Sequence, residues 1–304
     1  MHKETVKFQS LDETLTGILF LPESIHPSPV LIVSHGAGEF KENYFELCEF
    51  LAGYGIASFA LDMHGHGESG GNRFHVEMHE WVADIRAAID FLSTHAGVDA
   101  NQIGAFGLSS GGTAILEAAL IEPRLKFLVP LDATVRNSMP LPVTWIVQLL
   151  VLAGKTKKNL TKKGLRLPLA AMFSVMKVAS DPEINRRLAS NPRSREAFMA
   201  FPLPGAEEAF FVDTIKRTQK ISAPTMVLWG EDDQLDTPKT ARMLFDTLTC
   251  KKQLHIIPGN GHVGHLDRNR QKVFELTKDW ILENTHESHE KAPTHSEFHE
   301  EKCS

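Results

Sequence analysis

Ser109 lies in Gly107-Leu108-Ser109-Ser110-Gly111, entered from the apolar run Ile103–Phe106 and left into the helical run Thr113–Ile121. A serine on such a strand-to-helix turn is held in a strained backbone with its hydroxyl exposed above a sheet. The turn leaves no room for a Cβ two residues before or after the serine. Gly107 and Gly111 meet that demand for Ser109, whereas framing the turn on Ser110 would put Leu108 in the crowded place. A serine hydroxyl is a weak nucleophile and needs a base, which in turn needs an acid to orient it. The candidate base is a histidine in Pro258-Gly259-Asn260-Gly261-His262, with His265 close behind. Val227-Leu228-Trp229-Gly230 ends in three acids, Glu231, Asp232 and Asp233, and Asp132 at the end of Leu125–Leu131 is a rival. Nucleophile, acid and base then follow one another along the chain, each just past an apolar run. The backbone N–H of Ser110 supplies one donor for a tetrahedral oxygen. This is the equipment of acyl transfer.

Side chains from such distant stretches meet only if the elements before them share an edge. Val6–Ser10 and Leu15–Phe20 flank a short turn and predict a hairpin. Val30–Val33 is a short continuous apolar run, the pattern of a parallel strand covered on both faces, and Ile56–Leu61, Leu125–Leu131, Pro224–Trp229 and Gln253–Ile257 read as further strands of the sheet. Between them Tyr44–Gly53, His79–His95, Lys239–Leu248 and Leu266–Asn284 carry helical spacing. The alternation predicts an α/β fold, a doubly wound and mostly parallel sheet with helices on both faces. Ligands bind beyond the carboxyl ends of such strands, where all the candidate residues lie.

His35-Gly36-Ala37-Gly38-Glu39, Asn43-Tyr44 and Asp62-Met63-His64-Gly65-His66-Gly67-Glu68-Ser69-Gly70 resemble motifs of the α/β-hydrolase superfamily, in the branch of monoacylglycerol lipases, lysophospholipases and small carboxylesterases. Gly230-Glu231-Asp232-Asp233 and Pro258-Gly259-Asn260-Gly261-His262-Val263-Gly264-His265 are similar to that branch's acid and histidine loops. The resemblance implies Asp233 as the acid, His262 rather than His265 as the base, and the N–H of Ala37 as second oxyanion donor beside Ser110. It implies a serine hydrolase cleaving carboxylic esters of the monoacylglycerol or lysolipid kind. The same parts serve an acyl thioesterase or an aminopeptidase, and a non-catalytic binding protein on this fold is the reading from another class. Leu108 and Ser110 stand where the lipases usually carry histidine and methionine. His35, His64 and His66 are read as bracing, and neither a cofactor nor a metal is implied.

The 304 residues carry a net charge of -6, which argues against a nucleic-acid partner. Three scattered cysteines offer no disulfide framework, and with no apolar leader the expected location is cytoplasmic. The expected organisation is a first core part over 1–133, a helical cap insertion after the sixth strand over 134–213, a second core part over 214–285 and a disordered polar tail over 286–304. Leu141–Leu152 predicts a nearly all-apolar helix that buries most of its circumference, followed by a basic loop from Lys155 to Arg166. The first expectation for that stretch is a cap helix packed on the core followed by a solvated loop; the sharper one is a helix lining an acyl pocket, with the loop drawing in an anionic lipid surface or the phosphates of acyl-CoA. The oligomeric state is open.

Overall fold

The computed structural model describes residues 1–169, 171 and 177–290, the last five as backbone only. Ten strands and eight helices are traced among them. β1 (His2–Ser10) and β2 (Glu13–Leu21) form the expected hairpin, then β3 (Ser28–Ser34), α1 (Phe45–Ala52), β4 (Ala57–Leu61), α2 (Met78–Leu92), β5 (Val98–Leu108), α3 (Ser110–Ala119) and β6 (Leu125–Leu131) alternate. After an excursion, β9 (Thr225–Gly230), α7 (Pro238–Thr247), β10 (Lys252–Ile257) and α8 (Arg270–Glu290) complete the order. The eight-stranded sheet runs β1-β2-β4-β3-β5-β6-β9-β10. Its β1–β2 and β2–β4 pairs are antiparallel and the others parallel. The fold is therefore α/β, as the alternation predicts. Side-chain alternation divides the core. On β3, Val30 and Ile32 pack with Trp81 and Ile85 of α2 on one face, while Leu31 and Val33 pack with Leu47 of α1 and Phe274 of α8 on the other.

Parallel pairing brings the ends of β3, β4, β5, β6, β9 and β10 to one edge, and the loops that follow carry every candidate residue. The turn from β5 into α3 is the tightest of these. Ser109 has φ +51°, and its N–H bonds to Leu131 O at 3.0 Å. A Cβ on Gly107 would stand 2.3 Å from Gly111 O, and one on Gly111 would stand 2.5 Å from the carbonyl oxygens of Ser34 and His35. The glycine spacing in the sequence thus reports a close approach of helix, turn and neighbouring strand.

The excursion between β6 and β9 holds α4 (Leu141–Thr161), a short antiparallel pair β7 (Leu165–Leu167) and β8 (Phe201–Leu203), α5 (Pro182–Ser190) and α6 (Pro192–Met199). Asp181 and Asn191 cap α5 and α6 by accepting from Glu183 N and Arg193 N at 2.8 and 2.9 Å. Two expectations for α4 need correcting. The helix continues through Lys155, Lys157 and Lys158, so much of the anticipated basic loop is helical. Its apolar residues are also largely uncovered: Leu141, Trp145, Ile146, Leu149 and Leu152 are exposed, whereas Thr144, Val151 and Gly154 are buried. The helix lies close to β8, with space for only a hydrogen at Gly154, where a Cβ would meet Leu203 O at 2.3 Å. Thr144 is satisfied inside by Asn137 Nδ2 and Met139 O. At the other end, α8 extends to Glu290, beyond the predicted Asn284, and the rest of the tail lies outside the described residues.

Gly107→Ala should destabilise the protein by about 1–3 kcal/mol, the usual cost of overpacking, because its methyl meets immobile backbone. Gly164→Ala, whose methyl would have its nearest neighbour at 3.7 Å, should be close to neutral. Urea unfolding midpoints of the two variants check this.

Candidate active site

The loop after β3 is organised by its own hydrogen bonds. His35 donates from Nδ1 to Gly36 O at 2.8 Å and accepts Met63 N–H on Nε2 at 3.0 Å, which makes it a neutral imidazole. Burial favours the same state by pulling its pKa down. Gly36 N–H is taken by Glu39 Oε2 at 3.1 Å, and that oxygen also accepts from Tyr44 OH at 2.6 Å. Gly38 N–H is taken by His66 Nε2 at 3.2 Å. Burial pushes His66 down to about 3, so that nitrogen stays an acceptor. Among the described residues the N–H of Ala37, between these two, has no hydrogen-bond acceptor. Ser110 opens α3, so its N–H has no acceptor within the helix either.

The loop after β4 owes its shape to a buried carboxylate. Asp62 Oδ1 accepts from Lys41 N at 2.9 Å, and Oδ2 accepts from Lys41 Nζ at 2.6 Å and Glu68 N at 2.9 Å. Lys41 is itself buried, which works against its charge, yet its bonds to Asp62 and Glu68 hold its pKa above the ordinary value. His64 donates to Asp84 on α2. Burial opposes its charge too, but the Asp84 carboxylate keeps its pKa raised. His64 and His66 are thus both bracing groups, as their glycine-rich surroundings suggest.

The loops after β9 and β10 come together directly. His262 Nδ1 bonds to Asp233 Oδ2 at 2.9 Å. Asp233 Oδ1 accepts from the N–H groups of Leu235 and Asp236 at 2.8 and 3.1 Å, which fixes the carboxylate toward the imidazole. Glu231 and Asp232 are exposed, and Asp232 accepts from Ser180 Oγ at 2.7 Å. His265 does not join the pair. It stacks on Tyr44 at 4.2 Å with both ring nitrogens lacking a hydrogen-bond partner among the described residues, and burial pushes it down to about 4. Burial also pulls at His262, but the charge and hydrogen bond of Asp233 outweigh it and push the imidazole up to about 10.

Two groups have no signal in the linear sequence. Thr134 Oγ1 lies 3.4 Å from Ser109 Oγ and donates to Asp236 Oδ2 at 2.6 Å. Asp236 is buried, which pushes its carboxyl up to about 6. Neither belongs to a recognisable motif, because strand order rather than spacing brings them to Ser109. The rival acid Asp132 is buried beneath the same loops, its Oδ1 accepting Gly230 N–H at 2.7 Å.

The family model described as "Serine aminopeptidase, S33" matches residues 25–269. A monoglyceride lipase homolog from Monkeypox virus is 26% identical over 267 residues, covering 84% of this chain and 90% of that one. Human monoglyceride lipase is 28% identical over 279 residues, covering 85% of this chain and 84% of that one. Among solved structures, DcsB in complex with its substrate analogue superposes with a TM-score of 0.81 at 18% identity, over 94% of this chain and all of that one. The chain belongs to the serine aminopeptidase S33 family of α/β hydrolases, in the monoglyceride lipase-like branch, and is a carboxylic ester hydrolase.

Proposed function

We propose that Ser109 is the nucleophile, His262 the general base, Asp233 its orienting acid, and the N–H groups of Ala37 and Ser110 the oxyanion donors. The His262–Asp233 pair carries this reading, standing on loops that share an edge with the strained Ser109 turn. Ser109 attacks the ester carbonyl, and His262 Nε2 takes its proton and returns it to the leaving alcohol. Water then releases the acyl group by the same route. The N–H groups of Ala37 and Ser110, neither of them used by a helix, are the donors available to the tetrahedral oxygen. In the resting arrangement the hydroxyl nearest Ser109 Oγ is Thr134, so the nucleophile turns to His262 as substrate binds.

The substrate we infer is the acyl ester of an amphiphile, of the monoacylglycerol or lysolipid kind. The names of the relatives favour it, and so does α4 in the excursion, which we read as the cap. Trp145 and Leu149 are 68% and 66% exposed on a helix whose far end carries Lys155, Lys157 and Lys158. A helix with an uncovered apolar face and a basic end suits the interface of an anionic lipid layer. Among the described residues no helix is long and apolar enough to cross a membrane, so this contact would be peripheral. The buried Cys48 and half-buried Cys250 are free thiols, which fits a cytoplasmic setting.

Ser109→Ala should abolish fluorophosphonate labelling and ester hydrolysis, whereas Ser110→Ala, which keeps its backbone donor, should retain most activity. Loss at Ser110 with retention at Ser109 would refute the assignment. Hydrolysis compared across monoacylglycerols, acyl-CoAs and aminoacyl amides separates ester, thioester and peptide chemistry. Because the base must be neutral and its pKa is raised, kcat/KM should climb with pH along a limb centred above the ordinary histidine value of about 6.5. Sedimentation with anionic vesicles should exceed that with neutral ones and fall with added salt, and Trp145→Ser should weaken it.

A further inference from the structure

Asp132 is costly to keep where it is. It ends β6, between the strand that leads to Ser109 and the strand that leads to Asp233, with φ +46° in the left-handed region. Its side chain is fully buried, and only one oxygen is used, Oδ1 accepting Gly230 N–H. Oδ2 is buried with no hydrogen-bond partner among the described residues. A methyl at Gly264, two residues beyond His262, would stand 3.5 Å from that oxygen. Strained backbone and an unsatisfied buried carboxyl gather at sites where they serve a function.

We infer that Asp132 is a standby acid for His262, a positioning residue whose free Oδ2 faces the histidine loop and takes over the imidazole when Asp233 cannot hold it. The inference rests on His262 being the base. The charged groups around Asp132 are Asp233, Asp236 and His262. Burial first, and the Asp233 charge second, hold its carboxyl well above the ordinary range, which favours its neutral form. Removing the Asp233 charge removes part of that restraint. The imidazolium formed when His262 accepts the serine proton favours ionisation further, because its charge lowers the pKa of Asp132. In Asp233→Asn the Asp132 proton passes to solvent before the ester is attacked, and the carboxylate left behind stabilises the imidazolium in place of Asp233.

The test is a double-mutant cycle on kcat/KM with an ester substrate. Loss of the orienting acid from a serine–histidine–acid site costs about 10⁴-fold when nothing replaces it. Asp233→Asn should therefore lose only about a hundredfold, and Asp132→Asn/Asp233→Asn should fall to about the 10⁴-fold level. Asp132→Asn alone should lose less than tenfold, since an asparagine Oδ1 can still accept Gly230 N–H. A single Asp233→Asn variant as inactive as the double one would overturn the inference, and so would an Asp132→Asn loss equal to that of Asp233→Asn. The pH profile supplies a readout that mere structural damage does not mimic. In Asp233→Asn the acid limb should stay above 6.5 because a carboxylate still faces the imidazole, and in the double variant it should drop below. If the double variant does not fold, the single variant decides: a limb at or below 6.5 refutes the standby acid. Labelling of wild type but not of Ser109→Ala keeps this outcome apart from a failure of the functional reading itself.

Discussion

The close approach of α3 to the ends of β3 and β5 is the constraint from which the rest of the site follows. With Gly111 against Ser34 O and His35 O, the helix N-terminus and the loop after β3 lie side by side. Ser109 has no route into the helix other than a left-handed turn, and that turn lifts its side chain out of the sheet plane. The same proximity places the N–H of Ser110 beside the loop that carries Ala37. The proposed nucleophile and donors are thus products of one packing contact, and the glycines are what permit it.

Electrostatics adds a second layer around that contact. Four aspartates cluster at or near the loops after β6 and β9, yet the surroundings treat them differently. Asp233 receives two backbone N–H bonds and the imidazole, Asp236 receives two side-chain hydroxyls, Asp132 receives a single amide, and Asp232 lies out in solvent. Burial without donors favours the neutral acid, and donors favour the carboxylate. Division of labour among chemically identical groups is therefore set by how many N–H and O–H groups the loop backbones and neighbours offer each one.

The sheet, its strand order at the level of alternation, and the Ser109 turn were legible because hydrophobic period and glycine spacing are local properties. The His262–Asp233 contact agreed with a motif resemblance, while the residues alone left Glu231, Asp232 and Asp233 level. Thr134 and Asp236 were not legible. They stand 102 positions apart and meet only because β6 and β9 are neighbours in the sheet. The exposure of α4 has a related reason: an apolar circumference predicts burial only when a partner surface exists, and among the described residues α4 packs inward through Val147, Leu150, Val151 and Gly154 while Trp145, Ile146, Leu149 and Leu152 stay exposed.

The adjacency of β6 and β9 also bears on how the molecule is made. Leu131 pairs with Leu228 across the whole excursion, so during synthesis the ribosome adds nearly a hundred residues before β6 acquires its second neighbour. At about 5–20 residues per second that interval lasts on the order of 5–20 s. Through it the nascent sheet presents β6 as an open edge, the kind of template that recruits other chains. The serine-bearing half therefore lacks a neighbour along β6 until the half that carries the proposed acid and base has been made. Closing the site and sealing the sheet are then one event, late in the life of the nascent chain.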